Sequence, residues 1–350
     1  MSRPRRSYRG PLVTHPSHTP PIWRDARVLS IMAQVLFVVL LVAGIWAAKT
    51  AVERSMVRQN IRLDWGFFRS PAGFQLTALT WTIDLETLSF KQYSPEDSYA
   101  EAMIAGLFNT AKVAALGIGL AMVLGLTVGI ARLSRNWLLN RLALGYVEIL
   151  RNTPLLVQLF FWYFATFLQL PSGTPENPAI VLWDGLVILT NRGLAIGGTL
   201  TERFGRQAVD GGFQMTSEFA ALVIGLGVYT SAFVAEITRG GILAIPRGQM
   251  EAARSTGLSY PQALRLVVLP QALRIIIPPL GNQCLNLTKN SSLAIGIGFA
   301  DMLTSAMTVT SQSFRALETF TFVTLAYLAM SLTISAFLNL IRARLALPGT

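Results

Sequence analysis

Two groups of residues in this sequence stand out for the work their types and spacing permit. The first lies between Ile245 and Pro270, IPRGQMEAARSTGLSYPQALRLVVLP. Pro246 suits the first turn of a short helix of about three turns, and Gly257 suits a left-handed stop after it. Ser259 can cap a second helix, with Gln262 three residues on to complete a capping box and Pro261 tolerated in the first turn. Pro270 should break or kink the chain beyond that helix. The expected product is helix, bend, helix, exposing Glu251, Ala252 and Ala253. That shape offers docking instead of catalysis; the plainer alternative is an interfacial helix pair that shortens a loop.

The second group consists of polar residues in or beside apolar runs. Arg151, Asn152 and Thr153 precede Pro154 at the head of one run, Glu236 lies at the end of another, and Lys289, Asn290, Ser291 and Ser292 interrupt a third. A buried ammonium without a partner is expensive, so Lys289 calls for an anion: a substrate carboxylate or an internal acid such as Glu236. For Glu236 and Glu148, pairing with a nearby arginine is favoured over direct ligation. Arg151 either lines a cavity or snorkels to lipid phosphate, the second being slightly preferred.

The elements that must position these groups follow from composition. The chain has 350 residues, 52% hydrophobic and only 13% charged, with mean hydropathy +0.48. Soluble chains carry about 25% charged residues, so this one cannot clothe a water-soluble surface. A bilayer core needs about 20 mostly apolar residues per helix. Six windows qualify: 28–48, 113–131, 152–170, 219–235, 275–300 and 319–341, the fifth interrupted by Pro278, Pro279 and Lys289. Gly117, Gly119, Gly125 and Gly129 mark the second as a closely packed helix. Between the first and second spans, Trp65, Phe67, Phe68, Phe74 and Trp81 among charges suggest interfacial structure. Between the third and fourth, the runs LVIL and LAIG flank Thr190, Asn191, Arg192 and Gly193 as a hairpin.

The net charge of +11 resides in short basic patches between apolar runs, with no sustained basic face, so no nucleic-acid partner is expected. Arg3, Arg5, Arg6, Arg9, Arg24 and Arg27 precede the first span; Arg132, Arg135 and Arg141 follow the second; Arg239, Arg247, Arg254 and Arg265 follow the fourth; Arg342 and Arg344 end the chain. All fall on one side of the six-span arrangement, which places both termini in the cytoplasm. The first span is expected to be retained as an anchor instead of cleaved. His15 and His18 lie in a proline-rich tail and are assigned no role. Cys284 is the sole cysteine, so neither a disulfide nor a cysteine zinc site is available.

Catalytic motifs are missing. The phosphate loop of P-loop ATPases needs Gly before its Lys, whereas Lys49, Lys91, Lys112 and Lys289 follow Ala, Phe, Ala and Thr. Neither HExxH nor GxSxG occurs. If ATP drives this protein, the ATPase is another chain.

The loop carries a resemblance as well. Glu251, Ala252, Ala253, Gly257, Val267, Leu269 and Pro270 match the spaced signature of binding-protein-dependent ABC importer permeases, with Val267 where Ile is commoner. EILRNTPLLVQLFFWYF (148–164) is similar to the third-helix motif of the polar-amino-acid subfamily, with Asn152 in place of Gly. YTSAFVAEITRGGILAIPRGQ (229–249) and LTKNSSLAIGIG (287–298) also look like that subfamily. The long segment before the second span resembles the larger permeases of general L-amino-acid systems.

The resemblance implies an all-α membrane protein of about six transmembrane helices, with a type I ABC importer permease core and a cytoplasmic EAA coupling loop. It implies a basic tail (1–27), an anchor (28–50), a periplasmic or interfacial segment (51–104) and a permease domain (105–345) containing the coupling loop (245–270). The loop would sit in a cleft of a separate ATPase, with Glu251 and Arg254 as polar contacts. Expected partners are a second permease subunit, the same or different, an ATPase dimer binding ATP and Mg²⁺, a periplasmic amino-acid-binding protein and membrane lipid. This chain itself would hold no cofactor or metal and catalyse no reaction; its place is the bacterial inner membrane. Two rivals stay open: a secondary transporter, which needs no such loop, and a non-transport assembly subunit.

Overall fold

The computed structural model describes residues 26–58, 62–76, 80–203 and 206–345, so most of the basic tail, with His15 and His18, lies outside the described residues. The chain divides into two units at Leu63. The first contains α1 (Ala26–Arg58), an apolar helix with exposed side chains that continues ten residues beyond the apolar window expected to end at residue 48.

The second unit, 64–350, is a helical bundle with short strands at one end. It opens with a 3₁₀ turn (Trp65–Arg69) and a hairpin of β1 (Trp81–Ile83) and β2 (Phe90–Gln92). Of the aromatic residues here, Phe67 is buried among Met103, Met302 and Val309, Phe68 meets Phe322 at 5.7 Å, and Trp65 and Trp81 stay exposed. Lys91 lies 2.8 Å from Asp97, 3.0 Å from Glu101 and 3.8 Å from Asp84. The bond to Asp97 above all holds its ammonium well above the usual lysine range.

Helix α2 (Tyr99–Ala131) starts at a capping box in which the Ser98 amide donates to Glu101 (2.8 Å) and the Glu101 amide to Ser98 Oγ (3.3 Å). It packs along α5 (Ser217–Leu243). The contact requires glycine: a Cβ on Gly129 would stand 2.7 Å from the Ala235 carbonyl oxygen, and one on Gly125 would run into the Val234 side chain. Gly119, by contrast, faces open space.

The third apolar window is not one straight helix. Helix α3 (Trp137–Asn152) stops at Thr153, whose extended backbone (φ −103°, ψ 134°) is what a following proline enforces. Pro154 then caps α4 (Leu155–Phe160), which continues through a π turn (Phe161–Thr166) and a 3₁₀ turn to Gln169. Five described helices are long and apolar enough to cross a membrane, and 155–169 is a sixth, shorter apolar helix.

Between this helix and α5 the chain forms β3 (Ile180–Leu182), β4 (Val187–Thr190), β5 (Gly193–Ile196), β6 (Thr199–Arg203), β7 (Arg206–Asp210) and β8 (Phe213–Thr216). The hairpin expected from LVIL and LAIG is the β4–β5 pair, with Thr190 opposite Gly193. Strand β8 joins it on the far edge, giving the order β3-β4-β5-β8, while β6 and β7 pair apart. The mostly helical fold thus carries strand structure between two of its spans.

After α5 come α6 (Arg247–Ser255), α7 (Tyr260–Ala263), a π turn (Leu264–Val268) and α8 (Leu269–Asn290). Pro270 does not break the chain direction: its ring would press on the carbonyl four residues earlier, at Leu266, and the wider π turn makes room there. Pro278 and Pro279 lie inside α8, so the interruption of this span falls at Asn290, where a 3₁₀ helix (Ser291–Ile297) takes over. Helices α9 (Met302–Ser313) and α10 (Ala316–Leu345) close the bundle.

Candidate functional site

The residues of α6 and α7 fold as their local chemistry dictates. Pro246 precedes the first turn of α6, and Gly257 leaves it with φ +90°, a value that L side chains adopt only with strain. The Ser259–Gln262 capping box is formed, with Gln262 Oε1 accepting from the Ser259 amide at 2.9 Å and from Ser259 Oγ at 2.8 Å. Glu251, Ala252 and Arg254 are exposed, and so are Leu269 and Pro270. Ala253 is not: with 7% exposure it is the buried residue of α6, so the expectation that it belongs to the outward surface is corrected. A nine-residue helix presents only about two turns, and its short alanine is what lets it seat closely against α7 and the π turn (Leu264–Val268). Val267 is partly covered in the π turn. Gln271 Nε2 donates to Gln249 Oε1 at 3.2 Å, tying α8 to the start of α6.

At the α5 end that leads into α6 is a charge network. Glu236 of α5 accepts from Arg239 Nη2 at 2.6 Å and Nε at 3.2 Å, and it pairs with Arg132 at the end of α2. Arg151 contributes electrostatically to the same carboxylate, with its guanidinium 5.2 Å from the Phe233 ring centre. One acid thus joins the ends of α2 and α5, with the end of α3 close by. Glu236 is an ion-pair residue here, as the arginine-rich surroundings led one to expect.

The remaining polar residues are placed separately. Asn152 donates to Glu148 at 3.1 Å and Thr153 Oγ1 to the Ile149 carbonyl at 2.7 Å, both within α3 or at its end. Lys289 is exposed and among the described residues forms no ion pair; Glu236, one partner considered for it, is occupied by arginines. Ser291 is buried and bonded to the Thr288 carbonyl, while Ser292 bonds to that of Lys289, each at 2.8 Å. These hydroxyls satisfy carbonyls where the helix changes type.

Gln158 was not singled out from the sequence, yet it holds the break at Pro154 together. Its Nε2 donates to the carbonyls of Leu150 (2.8 Å) and Thr153 (3.1 Å), two groups left without amide partners when α3 ends. The spacing NTPLLVQ carries the signal: a Gln four residues after a helix-breaking proline can reach back over the break.

Apolar spans, a break stabilised inside the bundle and a small exposed helix between two spans describe a multi-span membrane protein. The chain belongs to the family of binding-protein-dependent transport system inner membrane components, whose model matches residues 117–347. It is 35% identical, over an alignment of length 386, to the general L-amino acid transport system permease protein AapQ of Rhizobium johnstonii, spanning 92% of this chain and 94% of that one. Identity to the putative amino-acid ABC transporter permease protein YhdX of Escherichia coli is 39% over 321 residues, or 73% and 81% of the two chains. Among solved structures, a crystal structure of an amino acid ABC transporter with histidines is similar at TM-score 0.53 and 31% identity, covering 70% of this chain and 95% of that one. The fold is that of a type I importer permease, and the chain is a multi-pass inner-membrane protein.

Proposed function

We propose that this chain is the translocation subunit of an importer for polar L-amino acids, driven by ATP hydrolysed on a separate ATPase dimer. The observation that carries this reading is the exposed helix α6, stopped at Gly257 and fastened at its base to α8. Glu251, Ala252, Arg254 and Gly257 form the ATPase-facing surface, with Ala253, Val267, Leu269 and Pro270 setting its shape. A second permease subunit, the same or different, completes the path, and a periplasmic amino-acid-binding protein delivers the substrate. ATP and Mg²⁺ sit on the ATPase. Closure of the ATPases pulls on α6, and because α6 lies between α5 and α8 the motion passes to both spans. Substrate selects between the resulting states only if it binds one of them better.

The names of the relatives support the amino-acid class, and the arginine distribution supports cytoplasmic termini, with residues 1–27 as a basic tail, 28–50 as an anchor, 51–104 as a periplasmic or interfacial segment and 105–345 as the permease domain. Arg151, Asn152 and Thr153 border the path at its cytoplasmic end; Lys289 meets a substrate carboxylate within it, with Asn290 beside it and with Ser291 and Ser292, whose hydroxyls hold backbone carbonyls, shaping the turn. Purification of the chain from native membranes, with mass spectrometry of the proteins that accompany it, tests the assembly. An ATPase of the ABC class and a binding protein are expected; a chain that purifies alone from intact membranes overturns the reading. Thiol labelling of single cysteines at Ser134 and Gln249 should occur only from the cytoplasm, and labelling from outside reverses the orientation.

A further inference from the structure

At the end of the bundle away from α6, a cavity of about 440 Å³ opens between α2, α5 and the strands, a size in the range of small-molecule sites. Its walls include Trp81, Phe213, Phe219 and Phe299, and its polar groups include Lys112 and Gln214. Lys112 is the residue just before the apolar run of α2 and is partly buried. Its ammonium lies 6.0 Å from the Phe219 ring centre, and among the described residues it has no hydrogen-bond or ion-pair partner. A ring face compensates a cation less well than an anion does. Carboxylates nearby in sequence to the other walls are already engaged: Glu218 accepts from Tyr163 at 3.2 Å, and Asp301 caps α9 through the Thr304 amide at 2.8 Å.

Gln214 offers the complementary group. Its Nε2 donates to the carbonyls of Val209 (2.8 Å) and Gly211 (3.2 Å), and among the described residues no donor occupies its carbonyl oxygen. The cavity therefore combines a cation without an anion, an unoccupied amide acceptor and aromatic walls. A zwitterion presents the matching carboxylate and ammonium. A phospholipid headgroup with an ammonium or hydroxyl could use both groups, but a two-chain lipid would leave its acyl chains outside a space of this size.

We propose that this cavity is an entry site for the transported amino acid, in which Lys112 binds the α-carboxylate at the outer end of the path. The inference rests on the importer reading above and adds to it a residue and a place. The test uses the complete complex with its binding protein, in phosphatidylcholine vesicles with and without phosphatidylglycerol, and follows ATP-dependent uptake of L-glutamate and L-glutamine. Lys112→Cys should lower uptake about ten- to hundredfold, the loss of one hydrogen bond to a charged group. Treating that variant with an aminoethyl thiosulfonate restores an ammonium of nearly lysine length and should restore uptake, whereas a sulfonatoethyl reagent should not. The native Cys284 is buried, and the treated wild type serves as control.

Unchanged uptake by Lys112→Cys overturns the site. So does a loss that aminoethylation leaves uncorrected, which marks a packing role, and so does a dependence on Lys112 seen only with phosphatidylglycerol, which marks a lipid ligand. Absence of uptake by the wild type removes the importer reading and the site with it, and is recognised because no variant is involved.

Discussion

Gly257 separates two effects that a single substitution would confuse. At φ +90° most side chains cost about 1–2 kcal/mol in backbone energy, but a Cβ built there meets nothing within 4 Å inside this chain. The internal penalty is therefore strain alone. Helix α6 buries only Ala253, so its reserve is small, and 1–2 kcal/mol corresponds to a fall of about five- to thirtyfold in the ratio of docking-competent to altered loop. Gly257→Asn relieves most of that strain, because Asn tolerates the left-handed region, while still adding bulk to the surface. If the residue matters through backbone shape, Asn should bind the ATPase nearly as well as wild type, Ala should bind about five- to thirtyfold more weakly, and Val should be worst. If close approach to the partner matters as well, Asn should fail along with Ala. Membrane abundance, ATPase co-purification and binding-protein-stimulated hydrolysis measure this together. Normal docking and hydrolysis by both Ala and Val would refute the argument.

Glu236→Gln removes the one acid between Arg132 and Arg239, whose side chains are largely covered, and should destabilise the protein by about 2 kcal/mol, read as a fall of several degrees in the unfolding midpoint in nanodiscs. An unchanged midpoint would show the network to be incidental. Lys289→Met should impair uptake while ATPase association persists; full uptake at normal expression would remove Lys289 from the substrate path. The β1–β2 hairpin should show a broad pH plateau. Lys91 has its pKa raised, so its contribution is complete below the ordinary lysine value of 10.5 and is lost only as pH rises through the higher folded value. Asp84, held below its usual 3.8 first by the Glu86 amide, contributes above 3.8 and loses that contribution as pH falls through its lower folded value. Amide protection in residues 81–92 should stay constant from about pH 5 to about pH 9, and a midpoint inside that interval would contradict the assignment.

What the sequence made legible was local. Pro246, Gly257 and the Ser259–Gln262 pair each act within four residues, and they form the turn and caps their types require. The β4–β5 hairpin needed only Thr190 and Gly193 between two apolar runs. The burial of Ala253 was not legible, because which face of a two-turn helix is covered is decided by α7 and the π turn that fold back on it. Nor was the course of the fifth span: Pro278 and Pro279 read as breakers, but their lost amides are tolerated inside a packed helix, and the real change comes at Asn290. The pairing of β8 with β5 joins residues about 20 apart across another hairpin, beyond any local pattern. Lys112 was passed over for a similar reason. Its meaning depends on Gln214 and the aromatic residues that meet it only in the fold.

The central claim concerns where the energy for transport enters. The measurement that addresses it most directly is accumulation of labelled L-glutamate and L-glutamine in vesicles containing the purified complex, with ATP supplied on the side of α6 and the binding protein on the other. Accumulation against a gradient should require ATP, the partner ATPase and the binding protein together, and should stop when any one is withheld. Accumulation by this chain alone, driven by an ion gradient without ATP, would contradict it.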